Sequence, residues 1–196
     1  MNVTKQLASM SLQDAAKDAK DSESLKSVWI LWKTNWKPET NHGRPMEELC
    51  TVSTRKEFSD AYQKICCPSK MPLGTDYCLF RQGIEPLWED KHNVGGGYWM
   101  VAVHRGSRSH HVDLDDRWKK VLHSLIHEDF KELGSGICGA RIRIRQGTDT
   151  VSIWVKNSTS IDHIRKIGET LRDRLDIPLT ESLKYKRHES KKSSVQ

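Results

Sequence analysis

The chain has 196 residues, which is enough for one domain with a substantial core and leaves little for a second. Its 32 Lys and Arg against 26 Asp and Glu give a formal charge of +6, a mild excess that suits a polyanionic partner without requiring one. No apolar run approaches the roughly 20 residues of a membrane helix, and the first residues lack the apolar core of a signal peptide. These features predict a cytoplasmic protein without membrane contact.

Residues 1–27 are polar and charged and contain no aromatic residue, and residues 189–196 are similar. Such composition cannot bury enough apolar surface to offset the entropy of ordering. We therefore predict two flexible tails on either side of a folded domain at residues 28–188.

The first half of the domain is predicted to form strands and one helix. Residues 27–33 and 49–52 are predicted strands, separated by a polar loop. A helix is predicted from about Thr54, because apolar residues follow it at helical spacing. Residues 76–81 and 98–105 are further predicted strands, and the loop between them ends in three glycines.

The second half alternates helices with strands. The three aspartates of the segment Asp113–Asp116 predict the start of a second helix, whose apolar stripe runs from Trp118 to Ile126. A hairpin follows, then a third helix at residues 161–175 and a last strand at residues 182–186. Together the elements predict an α+β fold: a curved, mainly antiparallel sheet with three helices on its convex face and the other face open.

The five cysteines form no C-x-x-C pair, and an odd number without a signal peptide is typical of reduced thiols. We therefore predict no disulfide, no metal site and no cofactor. The histidines of "HRGSRSHH", namely His104, His110 and His111, lie in a segment rich in Gly and Ser and lack ligand spacing. We predict that they are solvated loop residues.

Three arginines alternate with isoleucines in "RIRIR". Because side chains alternate across a strand, Arg141, Arg143 and Arg145 share one face. The "QGTD" that follows predicts a turn, and the returning strand carries Trp154. A solvated basic face would explain this row of arginines, and a site for an anion explains it at least as well.

Trp88 lies in the loop "GIEPLWED", where no periodicity accounts for a large aromatic side chain. Such a Trp can close the end of a sheet, but an aromatic beside basic residues also stacks on single bases. The adjacent Glu89 adds a carboxylate, which only accepts hydrogen bonds, and guanine presents two neighbouring donors on its Watson–Crick edge. Trp88 and Glu89 together indicate guanine, and a cationic 7-methylguanine would stack more strongly.

Four segments resemble a known family: "GIEPLWED", "GGGYW", "ICGARIRIR" and "VSIW". They are similar to the messenger-RNA cap-binding translation initiation factor 4E, and the resemblance covers residues 28–188. It implies a cupped antiparallel sheet backed by three helices, with the 7-methylguanosine cap on the concave side. The implied function is to bind the 5′ cap of mRNA in translation initiation, and we expect a monomer.

The resemblance also implies roles for individual residues. Trp88 matches a stacking Trp, Glu89 matches the carboxylate that binds the guanine edge, and Trp154 matches the Trp that contacts the methyl group. Arg145 matches a phosphate-binding Arg, and Arg143 would occupy a second position on the same face. The arginine face is then expected to hold the triphosphate of the cap.

The first stacking aromatic of the family is expected in the loop of residues 34–44. Counting back from Phe58 places His42 there, whereas Trp36 is the Trp that this loop offers. An indole is a larger platform for a cationic base than an imidazole, and loops tolerate the local shift that Trp36 requires. We predict Trp36, with His42 as the alternative.

Two basic positions of the family are changed. The other phosphate-binding residue of the hairpin falls on Thr150, and Tyr98 replaces the basic residue before the Trp of "GGGYW". The residues predicted to supply the missing charge are Arg141, Arg143, Lys191 and Lys192.

The family docks a scaffold partner of the 4G type through apolar residues of its first two helices. At those positions this chain has Arg55, Ser59 and Lys119, and His127 replaces a family Gly. We predict a more polar partner surface, used by a scaffold factor of the 4G type or by a divergent regulatory protein. These departures indicate a divergent isoform, of a kind expected in a protist such as a kinetoplastid.

Two other functions are compatible with the sequence. A cap-binding repressor or competitor would use the same pocket without joining the usual scaffold. A general single-stranded RNA-binding module would explain the basic and aromatic residues, but not Glu89 beside Trp88. An enzyme is not predicted, because the sequence has neither a Gly-rich phosphate loop nor a recognisable nucleophile and base.

Overall fold

The computed structural model describes residues 24–35 and 46–188, so most of the predicted N-terminal tail and all of the predicted C-terminal tail lie outside it. The strands are β1 Ser24–Asn35, β2 Met46–Thr54, β3 Thr75–Arg81, β4 Gly97–His104, β5 Ile137–Arg143, β6 Thr148–Val155 and β7 Leu183–Arg187. The helices are α1 Arg55–Lys64, α2 His110–Ile126 and α3 Ile161–Arg174, with short 3₁₀ helices at Pro68–Lys70 and Lys131–Gly136. Within the described ranges, no helix is long and apolar enough to cross a membrane.

The seven described strands form one curved antiparallel sheet in the order β2-β1-β3-β5-β6-β4-β7. The β5–β6 hairpin lies in the interior of this order, so the strand that carries Arg141 and Arg143 has a neighbour on each side. The three helices pack on one face. The predicted α+β fold is confirmed.

An apolar core fills the space between the sheet and the helices. Leu79, Ile142 and Ile153 of neighbouring strands belong to one buried cluster with Trp118 of α2 and Ile167 of α3. Each large apolar side chain buried in this way contributes roughly 1.5–3 kcal/mol to folding. The helices therefore cover the convex face of the sheet, and the concave face is left for other chemistry.

Helix α1 begins where the sequence predicts because Thr54 and Glu57 form a capping box. The hydroxyl of Thr54 accepts a hydrogen bond from the backbone N–H of Glu57 at 3.1 Å, and the Glu57 carboxylate accepts one from the Thr54 N–H at 3.1 Å. Two donors that the first turn would leave unpaired are satisfied in this way.

Several elements begin earlier than the sequence predicts; β2, for example, begins at Met46 rather than at residue 49. β1 begins at Ser24 rather than at residue 27, because Ser24 pairs with Thr54 at the end of β2. α2 begins at His110 rather than at residues 113–116. The ring of His110 is held by a buried carboxylate from the β5–β6 hairpin, which is a tertiary contact without a local sequence signal.

Candidate functional site

The face of the sheet away from the helices carries most of the described residues that the sequence singles out. Directly paired residues of antiparallel strands project to the same face. One row across β5, β6, β4 and β7 contains Gly139, Trp154, Tyr98 and Lys186. The next row contains Cys78, Arg141, Ser152, Met100 and Lys184. Aromatic and basic residues therefore share the concave face.

Trp154 is the centre of an aromatic cluster on this face. Its ring centroid lies 5.4 Å from Phe80, 5.9 Å from Tyr98 and 4.2 Å from His188. The rings of Trp154 and Tyr98 are nearly parallel, at 22°. Trp154 is only 5% exposed, and Trp88 packs against the same cluster from its loop. Trp154 therefore forms the floor of the concave face, and the half-buried Trp88 borders it.

The loop that carries Trp88 and Glu89 is held by Asn93. The buried side-chain amide of Asn93 donates to the carbonyl oxygens of Glu85 and Leu87, at 2.9 and 2.8 Å. Glu89 itself is exposed. The backbone of the loop is thus fixed in the free protein, while the Glu89 carboxylate stays accessible.

Asp90 supports the same loop from within. Its carboxylate accepts hydrogen bonds from the backbone N–H groups of His92 at 2.8 Å and Glu85 at 3.1 Å. Burial by itself raises the pKa of Asp90, but the hydrogen bonds from His92 and Glu85 outweigh it and hold the pKa below its usual value. Asp90 is therefore ionised at neutral pH and keeps the loop closed.

Two of the three predicted arginines share one buried carboxylate. Nε of Arg141 donates to Oδ2 of Asp76 at 3.0 Å, and Nη1 of Arg145 lies 2.6 Å from Oδ1 of the same residue. Asp76 is fully buried, and Arg141 is 7% exposed. Arg143 pairs directly with Asp76 across β3 and β5. All three arginines therefore lie around Asp76 on the concave face.

Arg145 is better placed than Arg141 to meet an anion from solvent. Its side chain is 22% exposed, against 8% for Arg141. Its Nη1 also donates to the carbonyl oxygen of Ile144 at 2.8 Å, whereas its buried Nη2 has no hydrogen-bond partner within the described residues. A buried donor without a partner is costly, so a movement of the Arg145 side chain that brings Nη2 to a ligand oxygen would be favoured.

The turn between β5 and β6 is anchored by Asp149, which is fully buried. Its carboxylate accepts from the Arg145 N–H at 2.8 Å and from Nη2 of Arg105 at 3.1 Å, and Nε2 of His110 lies 2.7 Å away. His110 is 3% exposed, so the prediction that it is a solvated loop histidine is wrong. A buried carboxylate needs partners, and His110 is one of them. His104 and His111 are exposed, as predicted, but they lie at the end of β4 and in α2 and not in a loop.

His188 is a residue of this face that the sequence analysis missed. It is 9% exposed, its ring contacts Tyr98 and Trp154, and its Nε2 has no partner among the described residues. Burial, followed by the positive charge of Arg141, lowers the pKa of His188 to about 4. His188 is therefore neutral at pH 7. Strand alternation could have predicted this position, because residues 186 and 188 are two apart and therefore project to the same face of the sheet.

Four predicted site residues lie outside the described part of the chain. They are Trp36, His42, Lys191 and Lys192. Thr150 is described and pairs with Arg143 across β5 and β6, so the hairpin carries a neutral hydroxyl at the position where the family has a basic residue.

The predicted partner surface on the helices is polar and contains two stacked histidines. Ser59, Lys119 and His127 are exposed, and Arg55 is half-buried. The ring of His127 stacks on that of His123, one turn earlier in α2, at 5.5 Å and 10°. Burial, His127 and Lys119 together lower the pKa of His123. The sequence analysis did not name His123, although its i, i+4 spacing from His127 places it on the same face of α2.

Two cavities of the described structure lie on the helical side of the sheet. One of about 580 Å³ lies between α1 and the first two strands and is lined by Leu49, Ile65 and Tyr77 among others. Another of about 240 Å³ lies near Trp29 and Phe130. Neither cavity is lined by a residue of the Trp154 cluster or by Arg141, Arg143 or Arg145, so the candidate site is identified by its chemistry and not by a cavity.

A curved sheet with an aromatic floor, an arginine face and a Trp–Glu loop defines a protein of the class that binds a nucleotide against its concave side. The sequence matches the family model described as eukaryotic initiation factor 4E over residues 24–196. This chain belongs to the eukaryotic initiation factor 4E family, and the predicted family resemblance is confirmed.

Relatives and solved structures agree with this assignment. The chain is 34% identical over 165 residues to eukaryotic translation initiation factor 4E-3 of Caenorhabditis elegans, a match that covers 84% of this chain and 66% of the relative. The matched region thus spans slightly less than two thirds of that relative's length. This relative is an animal protein, and the protist origin stays a prediction.

Two solved structures share the fold at the same level of identity. Eukaryotic initiation factor 4E-3 of Ascaris suum, solved in complex with an m2,2,7G cap, has a TM-score of 0.81 at 34% identity and covers 86% of this chain and 93% of its own. The C. elegans 4E-3 protein in complex with the 4E-binding protein Mextli and a cap analog has a TM-score of 0.78 at 34% identity, with 85% and 92% covered.

Proposed function

We propose that this protein binds the 7-methylguanosine 5′ cap of mRNA and acts in translation initiation. The observation that carries the proposal is the position of the Trp88–Glu89 loop beside the Trp154 cluster, in a chain of the initiation factor 4E family. Relatives whose structures are described as complexes with a cap or a cap analog support the same ligand.

The cap guanine would lie between Trp88 and an aromatic residue of the β1–β2 loop. Trp88 offers its indole face, and the exposed Glu89 offers two acceptor oxygens to the two donors of the guanine edge. Trp154 would contact the N7 methyl group from the floor. Trp36 is the proposed second stacking residue, with His42 as the alternative. A neutral His188 in the floor avoids repulsion with the cationic base.

The triphosphate would lie along the arginine face. Arg145 is the proposed main contact, because its Nη2 is without a partner and its side chain reaches solvent. Arg143 is the proposed second contact. Arg141 is hydrogen-bonded to Asp76 and would act mainly by orienting that carboxylate. Lys191 and Lys192 would add positive charge from the end of the chain.

A cap-binding repressor or competitor is the second candidate function, and the helical surface favours it. Arg55, Lys119 and the stacked His123 and His127 make a basic, polar surface where the family docks apolar groups. The proposed protein partner is a scaffold factor of the 4G type or a divergent regulatory protein. A solved relative in complex with a 4E-binding protein supports a regulatory partner for this chain as well.

The remaining features of the proposal concern the whole protein. We propose a cytoplasmic monomer whose cap-binding domain, predicted at residues 28–188, also includes the start of β1 from Ser24, with a tail before and after it. It would act by binding and not by catalysis, as expected for a chain of the initiation factor 4E family.

A pulldown tests the ligand and the partner together. Native lysate would be passed over immobilised 7-methylguanosine triphosphate, and bound proteins would be released with the free nucleotide or with unmethylated GTP and identified by mass spectrometry. We expect release by the methylated nucleotide and not by GTP. Co-release of other initiation factors would support the initiation function, and co-release of a regulatory protein without them would support the repressor. Equal release by both nucleotides would contradict cap binding.

A further inference from the structure

Strand β7 places two lysines on the concave face beside the proposed cap site. Lys184 and Lys186 are exposed and pair with Met100 and Tyr98 of β4. Tyr185, between them, packs against the helical core. This alternation is expected of a strand with one buried face. The two lysine side chains therefore lie on the same side of the sheet as the aromatic cluster.

Neither lysine is neutralised within the described part of the chain, where no ion pair or hydrogen bond of either side chain occurs. Lys120 of α2 shows the contrast, because it lies 2.7 Å from Asp116 and 2.8 Å from Asp176. The positive charge of Lys184 and Lys186 is thus available to a ligand, unlike that of Arg141, which is paired with Asp76.

The lysines continue the rows that contain the proposed cap site. Trp154, Tyr98 and Lys186 pair in sequence across β6, β4 and β7. Arg141 and Lys184 lie in one row across β5, β6, β4 and β7, so three strand spacings, about 15 Å, separate the arginine face from the lysines. A capped RNA bound on the Trp154 cluster has further nucleotides beyond its triphosphate, each with a negative phosphodiester group. A chain of a few nucleotides that leaves the arginine face and crosses Ser152 and Met100 would bring such groups to the lysines.

We propose that Lys184 and Lys186 form a second anion site that binds the phosphodiester groups of the RNA following the cap. The inference rests on the proposed function and deepens it, because the ligand becomes capped single-stranded RNA rather than the cap nucleotide alone. A lysine binds phosphate as a point charge and does not recognise the base. The site therefore adds affinity without sequence preference.

A different explanation of the same residues is protection of a sheet edge. β7 is the last strand in the sheet order, and edge strands use Lys to prevent pairing with another chain. That explanation predicts that loss of the lysines changes self-association and leaves RNA binding unchanged, so one set of variants separates the two.

The test compares the double variant Lys184→Gln/Lys186→Gln with the control Lys70→Gln/Lys166→Gln, which removes the same charge from exposed positions on the helical side. Affinities would be measured for 7-methylguanosine triphosphate, for a capped RNA of about ten nucleotides and for the same RNA without a cap. For the double variant we expect a loss of roughly tenfold on both RNAs, and a salt dependence shallower by about 1.4 in log–log slope, from two phosphate contacts. Binding of the cap nucleotide should change less than twofold relative to the control, an order-of-magnitude bound for a site without nucleotide contact.

Two results would overturn the inference. If the double variant binds both RNAs as the control does, the lysines do not contact RNA, and self-association by size-exclusion chromatography would then identify edge protection. If the double variant loses the cap nucleotide and the RNAs equally, the lysines belong to the cap pocket. Failure of the proposed cap binding would be recognised separately from failure of this inference. In that case the wild-type protein would bind methylated and unmethylated nucleotides with equal affinity. Binding of the uncapped RNA would still show whether the lysines contact RNA.

Discussion

Glu89 and Trp88 are neighbours with different surroundings. Trp88 is half-buried against the Trp154 cluster, while Glu89 projects from a loop that Asn93 and Asp90 hold in place. A carboxylate on a fixed backbone loses little entropy when it binds a base edge. The fixed position of the Glu89 carboxylate, and not its burial, would therefore make it selective for guanine.

Glu89→Ala should abolish the preference for guanine. The substitution leaves the two guanine donors unpaired in a partly desolvated site, at a cost of roughly 1–3 kcal/mol or more. Titration with 7-methylguanosine triphosphate would measure the loss of affinity, with Glu85→Ala as the matched control, because the Glu85 side chain is exposed in the same loop. If both variants lose the same affinity, Glu89 acts through the loop and not through the base.

Arg145→Ala should weaken the triphosphate far more than the nucleoside. A hydrogen bond to a charged group contributes roughly 1.5–3 kcal/mol, and the 7-methylguanosine nucleoside has no phosphate to lose. Isothermal titration with both ligands would measure the ratio, which separates phosphate binding from lost stability at the Asp76 ion pair. Arg165→Ala on α3 is the control of equal charge change. An equal loss for nucleoside and triphosphate would assign Arg145 to the fold.

His188 should make stability depend on pH. Its pKa in the folded protein is about 4, whereas the unfolded value is 6.5. The unfolded state therefore binds more protons between these values, so stability falls as the pH drops from 6.5 toward 4, by on the order of 3 kcal/mol in full. Urea unfolding between about pH 7 and 5 should show a steeper loss for wild type than for His188→Gln. His104→Gln is the control at an exposed position, and its stability should depend on pH as that of wild type does. If the stability of wild type and of His188→Gln falls equally with pH, the result contradicts the burial of a neutral His188 ring.

At the scale of elements, the β5–β6 hairpin would supply a fixed part of the site. The hairpin turn is tied by Asp149 to His110 and Arg105, so Arg145 is positioned before any ligand binds. The proposed second stacking residue, Trp36 or His42, belongs to the segment between β1 and β2 that lies outside the described residues.

Trp36→Ala should remove most of the cap affinity while the melting temperature of the free protein stays nearly unchanged, and His42→Ala should do much less. The reason is that an indole offers a cationic base a larger π surface than an imidazole. Cap titration together with thermal unfolding of both variants would measure it. A free protein that melts well below wild type after Trp36→Ala would place Trp36 in the core and leave His42 as the stacking residue.

Elements with local signals were predicted well from the sequence. The capping box at Thr54 and Glu57 marks the start of α1, and the alternation of "RIRIR" predicts the end of β5, although the strand ends at Arg143 and Arg145 lies beyond it. The starts of β1 and α2 were missed because they depend on partners far along the chain: Ser24 on Thr54, and His110 on Asp149. No periodicity within ten residues reports such contacts.

The candidate site was predicted only in part, because some of its contacts also join residues that lie far apart in the sequence. Trp88, Glu89 and Trp154 have a distinctive sequence context, and the structure brings Trp88 and Trp154 into one cluster. The sharing of Asp76 by Arg141 and Arg145 was not predicted, because it requires the register between β3 and β5. That register changes the expected roles of the two arginines. Arg141 becomes a structural partner of Asp76, whereas Arg145 keeps an N–H group that could bind a ligand.

At the scale of the molecule, the sheet separates two functions. Its convex side is covered by helices whose outer surface carries Arg55, Lys119 and the stacked histidines, and a partner protein would bind there. Its concave side carries the aromatic floor, the arginines and the β7 lysines, and RNA would bind there. The modest net charge of +6 is thus less informative than where the cations lie.

The central claim is that the concave face recognises methylated guanine, and Trp fluorescence tests it most directly. Purified protein would be titrated with 7-methylguanosine triphosphate and with GTP, which have the same phosphates and differ in the methyl group and its positive charge. We expect strong quenching and an affinity for the methylated nucleotide at least roughly tenfold higher, because a desolvated cation–π contact contributes about 2 kcal/mol. Equal affinities for the two nucleotides would contradict cap recognition and reduce the protein to a general binder of nucleotides or single-stranded RNA.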